Sequence, residues 1–288
     1  MSGSRVARLR GWVTNARLVR RNASRQCPVP DRVLIRGVPF DRLTEDGVVR
    51  LVMARGAAGT GGSVVTPNVS MLRLSTRGAM TQLISGAELS VCDGAPVLWA
   101  SKVMGSPLPE RVTGSSLIWS LSEAAAAEGR SVYLLGGQPG AADAAADNLK
   151  RAFPGLVVAG TSCPDHGFER DDVQFQALAE ALERARPDIV YVGLGFPKQE
   201  RVSNRLREHV PHSWFVNCGA AIHFAAGLQD RAPVWMQRAG LEWAHRLAYE
   251  PRRLASRYAA DLLFAAGLLL EAVFARASRL VRRSRSTW

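Results

Sequence analysis

Cysteine is scarce in this sequence. Four stand in 288 residues, Cys27, Cys92, Cys163 and Cys218, and no two form a C-x-x-C pair. That spacing excludes a disulfide framework and a cysteine zinc site, and it points to a reducing compartment. The five histidines show no ligand spacing beyond His209 and His212, three apart, so no metal site is expected. No Asp-x-Asp pair is present to hold a divalent ion on a diphosphate, and no G-x-G-x-x-G fingerprint marks a dinucleotide cofactor. The basic N-terminus is not followed by an apolar h-region, and no run of about 20 uninterrupted apolar residues occurs. Neither export nor a membrane-spanning helix is therefore expected.

Arginine is what the chain has in excess, and it is concentrated at the two ends. Residues 1–36 carry nine Arg against one Asp, and residues 231–288 carry eleven Arg against four acids. The total is +12, so the body between them is mildly acidic. A nucleic-acid enzyme more often spreads basic charge over its active face, so no nucleic-acid partner is expected. Basic ends on an acidic body fit an anionic membrane surface better, although Arg-rich tails also serve plain solubility.

Residues 1–30 are basic and poorly patterned, and read as a mobile arm. From Arg32 onward short β-branched runs alternate with Ala-rich helical stretches. Strands are expected at 33–36, 63–66, 89–92, 131–135, 156–160, 188–193 and 214–218, with the clearest helices at 115–128, 140–152, 172–186 and 198–208. Strands spaced by helices of this length predict a Rossmann-like α/β fold, a mostly parallel sheet with helices on both faces, over residues 31–240. Ligands of such sheets sit at the strands' carboxyl ends. The polar motifs fall there: Thr66-Pro67-Asn68, Asp93-Gly94, Gly136-Gly137 and the loop from Gly193 to Glu200.

Residues 241–288 form an Arg-rich helical appendage in this reading. On a helical wheel Asp261, Glu271, Arg276, Arg279, Arg282 and Arg283 share one face. Leu262, Leu263, Leu269, Leu270, Val273, Phe274, Leu280 and Val281 share the other, while Phe264 and Leu268 intrude on the polar side. The pattern suits an amphipathic segment lying on a membrane, and it equally suits a core-packing or dimerising helix.

The ordered motifs resemble those of the WecG/TagA/CpsF family of bacterial glycosyltransferases. They are Val65-Thr66-Pro67-Asn68, Cys92-Asp93-Gly94, the run from Leu108 to Gly114, Leu135-Gly136-Gly137 and the run from Val192 to Glu200. Arg231-Ala232-Pro233, Leu241-Glu242-Trp243, Arg246-Leu247 and Glu250-Pro251 follow. The set spans about residues 33 to 258. The resemblance implies an inverting transferase of cell-envelope or exopolysaccharide synthesis. Its donor would be a UDP-sugar of the N-acetylmannosamine kind and its acceptor a saccharide on undecaprenyl diphosphate. It would work in the cytoplasm, peripherally on the inner face of the cell membrane. One departure stands out: Ile222-His223 replaces the family's usual Phe-Asp.

Inverting transfer needs a base for the attacking hydroxyl, cations for the departing diphosphate, and alignment of the two substrates. Asp93 is the expected base, at a strand end and where similar family members place their proposed catalytic Asp. It would also suit a helix cap. Arg111 has the fork geometry for phosphate. Thr66 and Asn68 suit hydrogen bonds to sugar or nucleotide, or simply a turn. Gly136 and Gly137 could present backbone N–H groups to a phosphate. Gln199, with Lys198 a weaker candidate, is assigned to substrate. Arg246, Arg253 and Arg257 would share one face of an unbroken helix and meet a diphosphate, with Pro251 as a possible interruption. These protein cations would replace a metal, and no cofactor is expected. The competing readings are an NAD-dependent oxidoreductase or epimerase, against which the missing glycine fingerprint counts, and a non-enzymatic membrane or nucleic-acid adaptor.

Overall fold

The computed structural model describes residues 31–75 and 78–285, without the side chains of Arg238 and residues 279–285. The basic arm, the tail beyond residue 285 and the side chains of the outer arginines of the C-terminal wheel lie outside what it describes.

The chain opens with a hairpin, β1 (Arg32–Ile35) and β2 (Val38–Asp41), paired antiparallel. Its two-residue turn is Arg36-Gly37, both with positive φ (51° and 78°), the twist that tight hairpins require. The run at 33–36 therefore leaves the parallel sheet, because this turn folds it onto the next strand. Asp41 ties the hairpin to the sheet: it accepts from Arg32 Nε at 2.8 Å and from the Ser90 backbone at 2.7 Å.

Helix α1 (Glu45–Ala57) leads to β3 (Gly62–Val65), α2 (Val69–Ser75), α3 (Ala79–Ser85), β4 (Leu89–Ser90) and α4 (Ala95–Val103). Next come α5 (Gly114–Glu128), β5 (Ser131–Gly136), α6 (Ala141–Ala152), β6 (Val157–Ser162), α7 (Asp172–Ala185), β7 (Ile189–Gly193), α8 (Lys198–Leu206) and β8 (Trp214–Asn217). The chain closes with α9 (Ala221–Ala226), α10 (Val234–Arg238), α11 (Glu242–Tyr249) and α12 (Pro251–Arg285). Six strands form one parallel sheet in the order β4-β3-β8-β7-β5-β6.

The strand period of two sends alternate residues to opposite faces. Val132, Leu134, Tyr191, Trp214 and Val216 pack with α1, α5, α6 and α9. Tyr133, Leu135, Val190, Val192 and Phe215 pack with α7 and α8. A further core joins the hairpin, α2, α4 and α12 through Ile35, Phe40, Leu72, Val97, Ala265, Leu268 and Ala272. The expected Rossmann-like layers are present, and the C-terminal helix packs on the body through this last core.

Helix α12 docks by its polar side. Asp261 is buried, accepts from Arg73 Nε at 2.8 Å and bonds the Ser70 hydroxyl. Glu271 pairs with Arg36, whose guanidinium also lies 4.9 Å from the centre of the Phe264 ring. Leu254, Asp261, Ala265, Leu268 and Ala272, the buried positions, fall within an arc of about 60° at helical spacing. The intrusion of Phe264 and Leu268 on the polar face now has its reason: that face is the packing face. Leu262, Leu263, Leu270, Val273 and Phe274 are exposed on the far side. The segment Pro251–Ser278 is also long and apolar enough to cross a membrane, which a search for uninterrupted apolar runs does not detect.

The two faces should respond differently to truncation. Leu268→Ala should lower stability to urea by about 2–5 kcal/mol, the usual cost of a Leu-sized core cavity. Leu263→Ala, at a position 78% exposed, should stay within about 0.5 kcal/mol. The reverse order would mean that the helix docks by its leucine face.

Candidate active site

Parallel strands bring their carboxyl ends to one rim, and the loops after β3 and β4 meet there. The Asp93 backbone N–H donates to Pro67 O at 3.2 Å, and Val112 N–H donates to Cys92 O at 2.8 Å. These bonds stitch together the loops carrying Asn68, Asp93 and Arg111. Gly94 lets the first two approach, since a Cβ there would sit 3.3 Å from the Asn68 backbone. Asn68 starts α2 by accepting the Met71 N–H at 3.1 Å.

The C-terminal segment completes a cleft over this rim. Asn68, Asp93, Arg111 and Thr113 line one side, and Glu242, Trp243 and Arg246 line the other; Arg257, Tyr258, Asp261 and Leu262 of α12 border it too. Gly240 allows the crossing: with φ at +73°, its missing Cβ would lie 2.6 Å from that of Ala95. The Trp243 and Tyr258 rings meet edge to face at 6.0 Å.

The charges in this cleft are interleaved. Arg111 Nη1 lies 3.1 Å from Glu242 Oε2 and 3.8 Å from Asp93 Oδ1, and Nη2 donates to Gln237 O at 3.0 Å. The other Glu242 oxygen accepts from Arg231 Nε at 3.0 Å, and Arg231 also donates to Thr113 Oγ1 at 3.2 Å. Burial pushes Asp93 up to about 6; Arg111, Arg246 and Arg231 pull it down, and Glu242 pushes it further up. Burial also works against the Glu242 charge, but Arg231 and Arg111 outweigh it and hold that carboxyl below its ordinary value. Asp93 is thus mainly ionised at neutral pH while keeping a higher proton affinity than a free carboxylate, the condition for a general base. The Cys92 thiol beside it is pushed by burial up to about 12 and stays protonated.

Of the residues expected at a site, Asp93, Asn68, Arg111, Arg246 and Arg257 meet in this cleft. Thr66, just past β3, is buried and does not line the cleft. The three C-terminal arginines do not share one helix face. The helix breaks at Glu250, with φ −131° and ψ 57°, and restarts at Pro251. Arg246 lies over the Phe224 ring at 5.0 Å, while Arg253 is exposed and pairs with Glu250.

Gly136, Gly137 and Gln199 lie on the same rim but outside the cleft wall. Strand β5 is three places from β3, roughly 14 Å at the usual spacing. The Gly137 N–H donates to Gly193 O at 3.2 Å, and a Cβ on Gly136 would come 2.8 Å from that same oxygen. These glycines serve close approach between neighbouring loops. Gln199 is turned inward: Oε1 accepts the Gly195 and Gly219 N–H groups, both at 3.1 Å, and Nε2 donates to Glu200 at 2.9 Å. Lys198 sits 3.6 Å from Glu169. His223 holds the loop after β5, its Nε2 accepting the Gln138 N–H at 3.2 Å, and burial lowers its proton affinity.

Sequence reasoning assigned no role to Glu242, Arg231, Trp243, Tyr258 or Asp261. Glu242 and Arg231 stand in the quoted motif runs, yet their pairing joins segments that carry no local pattern.

The sequence profile of the glycosyl transferase WecG/TagA/CpsF family matches residues 33–279. A protein of Bacillus spizizenii named N-acetylglucosaminyldiphosphoundecaprenol N-acetyl-beta-D-mannosaminyltransferase is 32% identical over 171 residues, 59% of this chain and 64% of its own length. The proteins of that name from Bacillus subtilis and Staphylococcus aureus are both 27% identical. Their matches cover 66% of this chain and 72% of the relative in the first case, and 77% and 87% in the second. The chain thus spans a little under two thirds of the first relative's length and more of the other two. The profile match runs from β1 into α12 and takes in every segment that lines the cleft. The chain belongs to the WecG/TagA/CpsF family of glycosyl transferases.

Proposed function

We propose that this enzyme transfers an N-acetylmannosamine-type sugar from a UDP-sugar to a saccharide on undecaprenyl diphosphate, with inversion, in the synthesis of a cell-envelope polymer or exopolysaccharide. One observation carries the reading. A carboxylate of raised proton affinity, Asp93, faces a cleft shared with Arg111, Arg246 and Arg257, drawn from three separate segments. Asp93 takes the proton of the acceptor hydroxyl as that oxygen attacks the anomeric carbon. The bond from that carbon to the donor diphosphate breaks on the opposite side, and the nucleoside diphosphate leaves with its electron pair. The guanidiniums meet the charge growing on the leaving group, and Trp243 and Tyr258 shield the cleft from water.

The lipid-linked acceptor keeps its diphosphate at the membrane surface, and a nucleotide sugar is a cytoplasmic compound. The enzyme therefore works on the inner leaflet. Leu263, Leu270, Val273 and Phe274 supply an apolar face for the bilayer boundary. The opposite face of α12 is held to the protein by Asp261, Glu271 and the core leucine, an arrangement suited to lying in the interface rather than crossing it.

Asp93→Asn should reduce turnover by about 10²–10⁴-fold while leaving UDP binding largely intact, as read by steady-state kinetics and calorimetry. Near-normal turnover in the folded variant would overturn the assignment. The same substitution should raise stability at high pH. With a value near 4 unfolded and about 6 folded, Asp93 favours the folded state only while protonated. Wild type therefore loses stability as pH rises from 4 to 6. Asp93→Asn should unfold at a higher temperature than wild type at pH 8, and the difference should vanish near pH 4.

Activity should persist in excess EDTA, with Arg111, Arg246 and Arg257 rather than a metal meeting the diphosphate. Complete loss, restored by Mg²⁺ or Mn²⁺, would refute this. Replacing Leu263, Leu270 and Phe274 together by Ser should abolish co-sedimentation with anionic liposomes and spare turnover of a soluble acceptor analogue. Undiminished co-sedimentation would count against the apolar face as the membrane contact.

A further inference from the structure

Glu242 lies on α11, across the cleft from Asp93, and each of its oxygens is held by a different guanidinium. Arg111 is at 3.1 Å from one and Arg231 at 3.0 Å from the other. All three side chains are largely buried, with exposures of 14% for Glu242, 18% for Arg111 and 13% for Arg231. The Arg111 nitrogen that meets Glu242 is also the one nearest Asp93, at 3.8 Å, beyond hydrogen-bonding distance. One guanidinium thus stands between two carboxylates and is committed to the one that has no part in proton transfer.

The surrounding charge makes that commitment matter. Arg111 and Arg231 approach Asp93 from the loops before α5 and α10, and Arg246 from α11, with Glu242 as the opposing carboxylate. Arg257 and Asp261 border the cleft from α12, but Asp261 is engaged by Arg73 and Ser70. Cys92, next in sequence, stays a neutral thiol. Without Glu242 the Gln237 carbonyl still holds Arg111 Nη2, but Nη1 loses the carboxylate that draws it away from Asp93. A guanidinium closed on a carboxylate typically lowers its proton affinity by about one to three pH units, enough to turn a base into a spectator.

We propose that Glu242 is a positioning residue for the transfer reaction: by clamping Arg111 and Arg231 together it keeps Arg111 from closing on Asp93. The base keeps its proton affinity, and Arg111 stays beside the cleft for the leaving diphosphate. The proposal rests on the reading of Asp93 as the base. It differs from a simple staple between α11 and the rim, because a staple affects how much enzyme is folded and leaves the titration of the base where it was.

The test is the pH dependence of kcat/KM for the full chain with a soluble acceptor analogue. Wild type should show an acid limb near pH 6, set by Asp93. Glu242→Gln keeps the shape and one acceptor oxygen but removes the charge. Its limb should move down by about one pH unit, and kcat on the plateau should fall several-fold as the base weakens. In an Arg111→Gln background the same substitution should move the limb far less, because Glu242 acts through Arg111. A limb still near pH 6 in folded Glu242→Gln overturns the proposal, and so does an equal shift in both backgrounds. Should Glu242→Gln fail to fold, Glu242→Asp serves instead. It keeps the charge but cannot span both guanidiniums, so a smaller downward shift is expected and an unmoved limb is refutation. A limb near pH 6 that survives in the residual activity of Asp93→Asn removes the base assignment itself. A limb that depends on Asp93 but ignores Glu242 removes only the present proposal.

Discussion

Parallel strand direction is the constraint on which the rest of this molecule depends. Six strands running one way place their loops on one rim, and this brings Asn68 and Asp93, after neighbouring strands, side by side. Parallel pairing also demands helical crossovers on both faces, so the loops at the rim are where a ligand can approach the sheet. The C-terminal helices close over one end of that rim, above β3 and β4. The cleft is therefore half sheet loop and half helix, and its charges come in opposed pairs because each half contributes both signs.

The same economy governs α12. A helix with one apolar and one polar face ordinarily buries the apolar one. Here the polar face is turned in, because Asp261 and Glu271 find Arg73 and Arg36 as partners and because small residues, Ala265 and Ala272, let the helix approach α4 closely. The leucines are left outside.

Much of this was legible in the sequence, and the part that was not has identifiable causes. Six of the seven β-branched runs are sheet strands; the seventh, 33–36, turned on Arg36-Gly37 into a hairpin, a two-residue signal easily passed over. That Asp93 and Asn68 line a cleft was readable because both stand just past strand ends, where such sheets leave room between loops. Gln199 sits in an equally suggestive loop, yet two backbone N–H groups claim its oxygen, and no sequence pattern announces that. Arg246, Arg253 and Arg257 looked aligned only on an unbroken helix, and Glu250-Pro251 breaks it. Glu242 was invisible as a partner of Arg111 because the two stand 131 residues apart. Pairings of that range belong to the fold and leave no periodicity behind.

The ion pair between Arg36 and Glu271 joins residues 235 positions apart, and the core beneath it is shared by the first hairpin and the last helix. During synthesis the hairpin, α2 and α4 emerge long before the helix that covers them. Ile35, Phe40, Leu72 and Val97 then wait for Ala265, Leu268 and Ala272, which follow them far along the chain. At typical elongation rates of about 5–20 residues per second that wait is on the order of ten seconds or more, long against the closing of local contacts. Through that interval the nascent chain carries an apolar patch uncovered, a natural target for chaperone binding until α12 arrives.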